Sequence, residues 1–408
     1  MERFEADLLI PGSGDPVRNG VVVVDGPVIT YAGPADGAPQ TPDASVVRTA
    51  AVMPGMWDCH GHLMGIRSLD FTRLPLESIG TRVARCVGDL RAALDAGVTS
   101  VREPGGLGLD LAPAVADGLI AGPSIYSAGA ILSTTGGHGD LHSLPLGWVV
   151  DFAHISGELR LCDGVDECVR AVREQLRRNA KLIKICASGG VLSEVDHPVH
   201  QQFTLAELKA IVEVAALAER SVAAHCHGKP GMMAALEAGV RTIEHGTFLD
   251  VDVCQAMKET GAVLVPTRTI IDETLNHPGL PAYAVGKMQM IAETHLKAIA
   301  IAHEHGVRIA SGTDIAMSGA DLPDAWGRNG REPQLLVQAG LTPLEAIEAA
   351  TANGPLTLGA QAPLSGVLRE GYAADVLTLR ADPVADIAVL ADPANITGVW
   401  RAGVQVKG

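Results

Sequence analysis

Two histidines stand one residue apart in the stretch PGMWDCHGH (residues 54–62), directly behind the apolar run TAAVMPGMW. Side chains on a strand alternate between faces, so His60 and His62 point the same way and can reach one ion, while Gly61 adds no bulk. Imidazole nitrogen suits zinc and similar borderline cations. A His-x-His pair also arises by chance, and a single histidine at a strand end often only bonds backbone. Other residues able to bind metal lie at or just beyond further apolar runs. They are Lys184 in KLIKICASGG, His225 in SVAAHCHG, His245 in RTIEHGT and Asp314 in VRIASGTD. Lys184 interrupts a run that reads as a buried strand, where an unpaired ammonium carries a heavy desolvation cost. Snorkelling or ion pairing is the ordinary explanation for a lysine. Addition of carbon dioxide to its amine would instead make an anionic, bidentate oxygen ligand.

These residues can meet only if the chain brings its strand ends together. Eight apolar runs alternate with segments of helical periodicity such as LAELKAIVEVAALAER: AVMPGMWDCHGH, GVTSVREPGG, PSIYSAGA, KLIKICASGG, SVAAHCHG, RTIEHGT, AVLVPT and VRIASGTD. The pattern predicts an α/β protein, a (β/α)8 TIM barrel whose C-terminal strand ends converge on one functional mouth. An open doubly wound sheet is the competing architecture, but no glycine-rich dinucleotide turn follows the first strand. Short β-branched runs broken by Gly, Asp and Pro mark both chain ends, as in ADLLIPGSGDPVRNGVVVVDGPVITYAG and ITGVWRAGVQVKG. They predict a small β-sandwich domain built from residues 1–54 and 357–408, with the barrel spanning 55–356.

The 47 acidic against 31 basic residues give a formal charge of -16, the wrong sign for gripping nucleic acid. The arginines of RVARCVGDLRAALDAG and RAVREQLRRN are spaced as solvated helix faces. Seven cysteines form no regular disulfide framework, and no stretch of about eighteen apolar residues is available to span a bilayer. The expectation is a cytoplasmic protein without nucleic-acid or membrane partners. Cys59, Cys186 and Cys226 sit beside the candidate ligands, but the alternation of strand side chains favours packing over a thiolate role. No serine sits in a nucleophile elbow.

With these residues in place, the chain resembles the amidohydrolase superfamily, in its binuclear prolidase-like branch related to imidazolonepropionase. MPGMWDCHGH is similar to the first-strand His-x-His motif, IKICASGG to the carboxylated-lysine strand and AAHCHG to the fifth-strand histidine. TIEHGT, ASGTD and GYAADVLTL resemble the sixth strand, the eighth strand and the closing β domain. The resemblance implies two divalent ions, zinc first among them. His60, His62 and Asp314 would hold one, His225 and His245 the other, and carboxylated Lys184 would bridge them. Mononuclear deaminases of the superfamily carry a glutamate three residues after the fifth-strand histidine, where this chain has Gly228.

The implied reaction is hydrolysis of an amide C–N bond by metal-activated hydroxide, with Asp314 as general base and then acid. His138, in TTGGHGD, resembles a histidine that contacts the tetrahedral intermediate. His227 stands where relatives often have tyrosine, and can orient substrate or merely pack. Arg268, in VLVPTRTIID, can pair with a substrate carboxylate or lie at the surface. The loops SEVDHPVHQQFT, with His197 and His200, and AMSGADLPDAWGRNGREP are long enough to cap the mouth. The expected partner is a small amide or peptide: an N-acyl amino acid, dipeptide or aryl amide. Competing readings are a lactonase or phosphotriesterase, a carbamate or urea hydrolase on the same centre, and a catalytically silent assembly protein. Self-association into a homo-oligomer is implied by the resemblance alone.

Overall fold

The computed structural model describes residues 1–408 apart from Asn276 and Pro323. The chain opens with β1 (Glu2–Leu9), β2 (Val17–Asp25), β3 (Val28–Pro34) and β4 (Ser45–Pro54). Next come β5 (Met56–Asp58), β6 (Gly61–Ile66), β7 (Val98–Glu103), β8 (Ser124–Ser127), β9 (Ile131–Ser133) and β10 (Leu159–Leu161). They are followed by β11 (Leu182–Cys186), β12 (Ser221–Cys226), β13 (Thr242–His245), β14 (Val263–Val265) and β15 (Ile315–Met317). The chain closes with β16 (Val376–Leu379), β17 (Ile396–Arg401) and β18 (Val404–Lys407).

Both chain ends enter one seven-stranded sheet, ordered β18-β17-β16-β4-β1-β2-β3. This corrects the expected sandwich. Strand β4 pairs parallel to β1 on one side and antiparallel to β16 on the other, so the two ends share a continuous hydrogen-bonded ladder. Phe4, Val22, Ile29, Val52 and Trp400 form its own apolar core. The Phe4 and Trp400 rings meet edge to face, 4.7 Å between centroids.

The middle of the chain is α/β with parallel sheets, ordered β5-β7-β8, β10-β9-β11-β12-β13-β14 and β15-β6. Isolated backbone bonds link them. Lys181 N–H donates to Ser127 O at 2.8 Å, Leu264 bridges in parallel to Ile309, and Cys59 N–H donates to Ser311 O at 2.8 Å. Strands β7, β11 and β13 are buried along their whole length, as sheets covered on both faces require. Seven of the eight expected runs form strands. The eighth, VRIASGTD, makes only the isolated bridge at Ile309, and β15 begins after Asp314. Its backbone bonds are scattered over Leu264, Ala349, Cys59 and His60, and Thr313 N–H turns to the Asp58 side chain, so no continuous ladder forms. The paired strands β9 and β10 were not expected.

Helices cover the sheets for reasons visible in their ends. Thr204 and Glu207 form a reciprocal capping box on helix Leu205–Ala216, a type of cap worth about 1 kcal/mol. Helix Lys229–Ala238 stops at Gly239, whose φ of 95° suits glycine. Among the described residues no helix is long and apolar enough to cross a membrane. All seven cysteines are buried and unpaired.

One buried ion pair ties the elements beneath the future site. Arg82, from helix Ile79–Asp95, forks onto both carboxylate oxygens of Glu158, and its Nε donates to Met64 O on β6 at 2.8 Å. Both side chains are 1% exposed. Glu158→Ala would strand the guanidinium in the interior and is expected to lower unfolding free energy by about 3–5 kcal/mol. The paired replacement Arg82→Met with Glu158→Leu should recover most of that loss. Urea titration of the two variants checks both expectations.

Candidate metal centre

One cavity is lined by His60, His62, Lys184, His225, His245 and Asp314, the six expected ligands, and by His138 and His227. Two triads stand out inside it. Ligand atoms of His60, His62 and Asp314 lie within 4.8 Å of one another, as do those of His225, His227 and His245. The first triad is the expected one. The second includes His227, whose ring stacks on His245 at 4.9 Å and meets His225 edge-on at 4.7 Å. His225 and His227 are two apart on and just beyond β12, the same spacing as His60 and His62.

Local backbone explains how adjacent residues serve the cavity. His245 and Asp314 adopt left-handed φ values of 68° and 62°. Such conformations cost about 1–3 kcal/mol each outside glycine. At His245 the turn lets two neighbours, Glu244 and His245, both reach the interior although strand residues normally alternate. At Asp314 it follows a segment clamped by Asp58. The Asp58 carboxylate accepts from His60 N at 3.0 Å, Thr313 N at 3.1 Å, Thr313 Oγ1 at 2.5 Å and Asn329 Nδ2 at 2.7 Å. Asp314 N–H in turn donates to His60 O at 2.5 Å. Gly312 permits this approach, since a Cβ there would lie 2.9 Å from both the Cβ and the backbone nitrogen of His60.

Each ring commits one nitrogen to the protein. Nδ1 of His60 meets Glu244 Oε2 at 2.6 Å, and Nδ1 of His62 meets Gly105 O at 2.6 Å. Nδ1 of His245 meets Thr267 Oγ1 at 2.7 Å, and Nδ1 of His227 meets Thr247 Oγ1 at 2.8 Å. His225 reverses the pattern, with Nε2 at 3.1 Å from Gly189 O. A partner that only accepts fixes the N–H on the bonded nitrogen and leaves the other with its lone pair, the arrangement that metal-ligating histidines use. For His60 and His62 that lone pair is on Nε2 and for His225 on Nδ1, while His245 bonds a hydroxyl through Nδ1 and leaves Nε2 unbonded. Nε2 of His62 lies 3.1 Å from Asp314 Oδ1, and Nε2 of His60 lies 3.5 Å from the same oxygen.

Electrostatics favours the same donor set. Burial pulls His60 down to about 4 and His227 to about 3, and drives His225 and His245 well below the ordinary histidine range. All four are therefore neutral near pH 7, as ligation requires. Burial also lowers the Lys184 ammonium, which is 2% exposed. Burial opposes ionisation of Asp314, but His60, His62 and Lys184 outweigh it and hold the carboxyl below its usual range. His62 shifts upward, because the Asp314 hydrogen bond and charge together outweigh burial. Neutral imidazoles, a carboxylate and an amine whose charged form burial disfavours form a set that fits divalent cations.

His138 lies at the cavity wall, its ring stacked 4.2 Å from that of His225 and its Nδ1 2.8 Å from Ser193 Oγ. Arg268 is placed otherwise than expected. It lines no part of the cavity; its Nη1 donates to Ala292 O at 3.2 Å, toward helix Ala282–Glu304. Lys184 is thus the single lysine or arginine among the described lining residues. Cys186 also departs from expectation: two residues beyond Lys184, it shares that face and lines the cavity, with burial pushing its thiol up to about 12. Cys59 and Cys226 line no part of it. At Gly228 a Cβ would fall 2.4 Å from Val199 O, so the backbone leaves no room for a glutamate. No residue of the first expected capping loop, 193–204, lines the cavity, His197 and His200 included, although Val191 and Leu192 just before it do; Ala316 and Met317 of the second line it, and Pro323 of that loop lies outside the described residues.

The residues missed from sequence are the buried supports. Arg102, fully buried on β7, reaches Cys59 O at 2.5 Å, Thr242 Oγ1 at 2.9 Å and Glu244 Oε2 at 2.6 Å. Although burial disfavours the Glu244 anion, Arg102 and His60 hold its carboxyl far below the usual range. The signal was present in VTSVRE and TIEH, where charges interrupt buried strands just as Lys184 does.

The amidohydrolase family profile matches residues 51–406. Ochratoxinase of Aspergillus niger is 44% identical over 423 residues, covering 99% of this chain and 86% of that protein. Its crystal structure superposes with a TM-score of 0.94 at 43% identity, covering 100% of this chain and 95% of the other. A prolidase complexed with N-methylphosphonate-L-proline gives a TM-score of 0.89 at 31% identity over 100% and 99% of the two chains. A Xaa-Pro dipeptidase with methionine in its active site gives 0.86 at 28% over the full length of both.

Glu244→Gln tests the support of the first triad. His60 Nδ1 and Arg102 share one oxygen, Oε2, so an amide that keeps its oxygen there retains both bonds but removes the negative charge that raises the basicity of the His60 ring as a ligand. Chelator competition should show affinity for a divalent cation falling about 10–100-fold.

Proposed function

The chain belongs to the amidohydrolase family, and from that premise we propose that it is a binuclear, zinc-dependent hydrolase of bulky, apolar amides. That it cleaves amide C–N bonds follows from its kinship with ochratoxinase and the dipeptidases. In this reading the run of parallel strands is a closed (β/α)8 barrel over residues 55–356, flanked by the sheet of residues 1–54 and 357–408. The observation carrying the proposal is the pair of ligand triads with Lys184 on the floor of one cavity.

His60, His62 and Asp314 would hold one ion and His225 and His245 the other, with a carboxylated Lys184 between them. When bound, the cations polarise the substrate carbonyl and lower the pKa of water. Asp314, held ionised, takes a proton from the attacking water through its carboxylate and returns it to the leaving amine. His138, fixed by Ser193, faces the charge that develops on the carbonyl oxygen, and its remaining N–H stabilises it. His227 stands opposite, its Nδ1 spent on Thr247, and orients the substrate by Nε2.

The walls choose the substrate. Above the polar floor the cavity is lined by Phe71, Leu74, Ile131, Leu192, Ile271 and Met288, among other apolar residues. Such walls favour aromatic or branched groups flanking the scissile bond and give little hold to a dipeptide with two charged ends. Aryl amides and N-aroyl amino acids therefore rank above dipeptides, in keeping with the identity to ochratoxinase.

Two outcomes are expected. Asp314→Asn should fold normally, by circular dichroism, and lose about 10²–10⁴-fold in kcat, the usual reach of general acid–base catalysis. Dialysis against a strong chelator should abolish turnover of N-benzoyl-L-phenylalanine, and zinc should restore it. Full activity after chelation, or a preference for lactones or phosphotriesters in parallel assays, would overturn the reading.

A further inference from the structure

The segment Gly189–His197, between β11 and helix Leu205–Ala216, supplies the site at several points. Gly189 O is the partner of His225 Nε2, and Ser193 Oγ that of His138 Nδ1. Val191 and Leu192 form part of the apolar wall. Gly190 lies so close to the His138 ring that a Cβ there would fall 2.1 Å from it, so the segment's path fixes where that ring can sit. This segment is not a strand or helix, and something must hold it.

The hold comes from one ammonium. Lys287, on helix Ala282–Glu304, places Nζ 2.7 Å from Ser193 O, 2.5 Å from Asp196 O and 3.3 Å from Gly190 O, with Asp196 Oδ1 at 3.6 Å. An ammonium carries three donors, and here three backbone carbonyls of one loop converge on it. One turn earlier on the same helix face, Tyr283 Oη donates to Leu192 O at 3.3 Å. Asp196 then carries the hold inward, accepting from Gly190 N at 2.9 Å and Gln202 Nε2 at 2.9 Å, while Gln202 Oε1 accepts from His138 N at 3.0 Å.

We propose that Lys287 is a positioning residue of the hydrolytic site: by gathering the carbonyls of Gly190, Ser193 and Asp196 it fixes the loop that orients His138 and forms the wall at Val191 and Leu192. Its side chain lines no part of the cavity, so it acts only through the loop. The inference rests on reading this cavity as the hydrolytic site, and the experiment separates the two.

Lys287→Met and Lys287→Arg would be compared with the wild type, zinc-loaded, on N-benzoyl- and N-acetyl-L-phenylalanine. Metal content and amide hydrogen exchange would be measured alongside. Lys287→Met should keep its metal, speed exchange at 189–197 at least about tenfold while β11 and β12 stay protected, and lose about 10–100-fold in kcat/KM, the cost of misplacing a group by an ångström. Lys287→Arg should recover most of the loss. Added to Ser193→Ala, Lys287→Met should cost little more in kcat, because both act through His138. Unchanged exchange with unchanged kcat/KM overturns the proposal, as does a loss that multiplies fully with that of Ser193→Ala. Faster exchange throughout the chain with loss of metal overturns it too, by showing a general structural role. If Lys287→Met does not fold, Lys287→Gln, which offers two donors, replaces it. If the wild type hydrolyses neither amide, the substrate reading fails, and exchange at 189–197 still decides whether the lysine holds the loop.

Discussion

Crowding of imidazoles is the constraint on which this structure turns. The rings of His225, His227 and His245 have centroids between 4.6 and 4.9 Å apart, and His60 stands 5.1 Å from His245. Protonated rings at that spacing in a dry interior would repel and lose their hydration, so the cluster exists only with neutral rings. Neutral rings in turn have a tautomer to be chosen. The surrounding chain places a partner ring by ring: the acceptors Glu244, Gly105 O and Gly189 O, and the hydroxyls of Thr267 and Thr247. Four of these come from beyond strand ends, which is why loop geometry here is as tightly specified as the strands.

That specification is built with buried charge and irregular backbone. Asp58 collects four donors from His60, Thr313 and Asn329, and in doing so takes the Thr313 N–H that a regular strand would bond to its neighbour. Thr267 and His245, bonded to each other, both take left-handed φ values, 57° and 68°. Neither arrangement favours stability by itself. A buried ion pair such as Arg102–Glu244 returns little more than it costs to desolvate, so its contribution lies in fixing His60. Stability comes instead from the wide apolar core around the sheets and from the separate core of the terminal sheet.

The sequence was informative where a residue's type conflicts with its setting. Lys184 in an apolar run, and four histidines and Asp314 at the ends of such runs, identified six residues that the fold gathers on one floor. Arg102 and Glu244 break buried strands in the same way and passed unnoticed, because a charge pair supporting a ligand carries no spacing motif; only pairing β13 with its neighbours reveals what each charge meets. Arg268 failed for the opposite reason. A guanidinium after a strand is free to turn either way, and the pull of Ala292 O and the fit of Glu332 against its backbone N–H decide the direction. Cys186 was misjudged by taking the alternation from the wrong neighbour: it is two from Lys184, not one. The missing eighth strand and the single terminal sheet reflect long-range pairing, of Asp58 with Thr313 and of β4 with β16, which local periodicity does not encode.

Floor and walls come from different parts of the chain, and this separates what the reaction needs from what the substrate needs. The ligands sit on or just past β5, β6, β11, β12 and β13, or on the clamped segment before β15, each anchored by several backbone bonds. The apolar lining comes largely from connections, Leu69 to Leu74, Ile131 to Leu141 and Val191 to Leu192, and from the inner face of helix Ala282–Glu304. A wall residue can change without disturbing any ligand's partner, whereas a floor residue cannot. Relatives with similar floors can therefore share bond cleavage while differing in the groups they admit. For this chain the argument about substrate must rest on side chains such as Phe71, Ile131 and Met288, whose apolar surfaces gain only when a substrate of matching bulk displaces water from them.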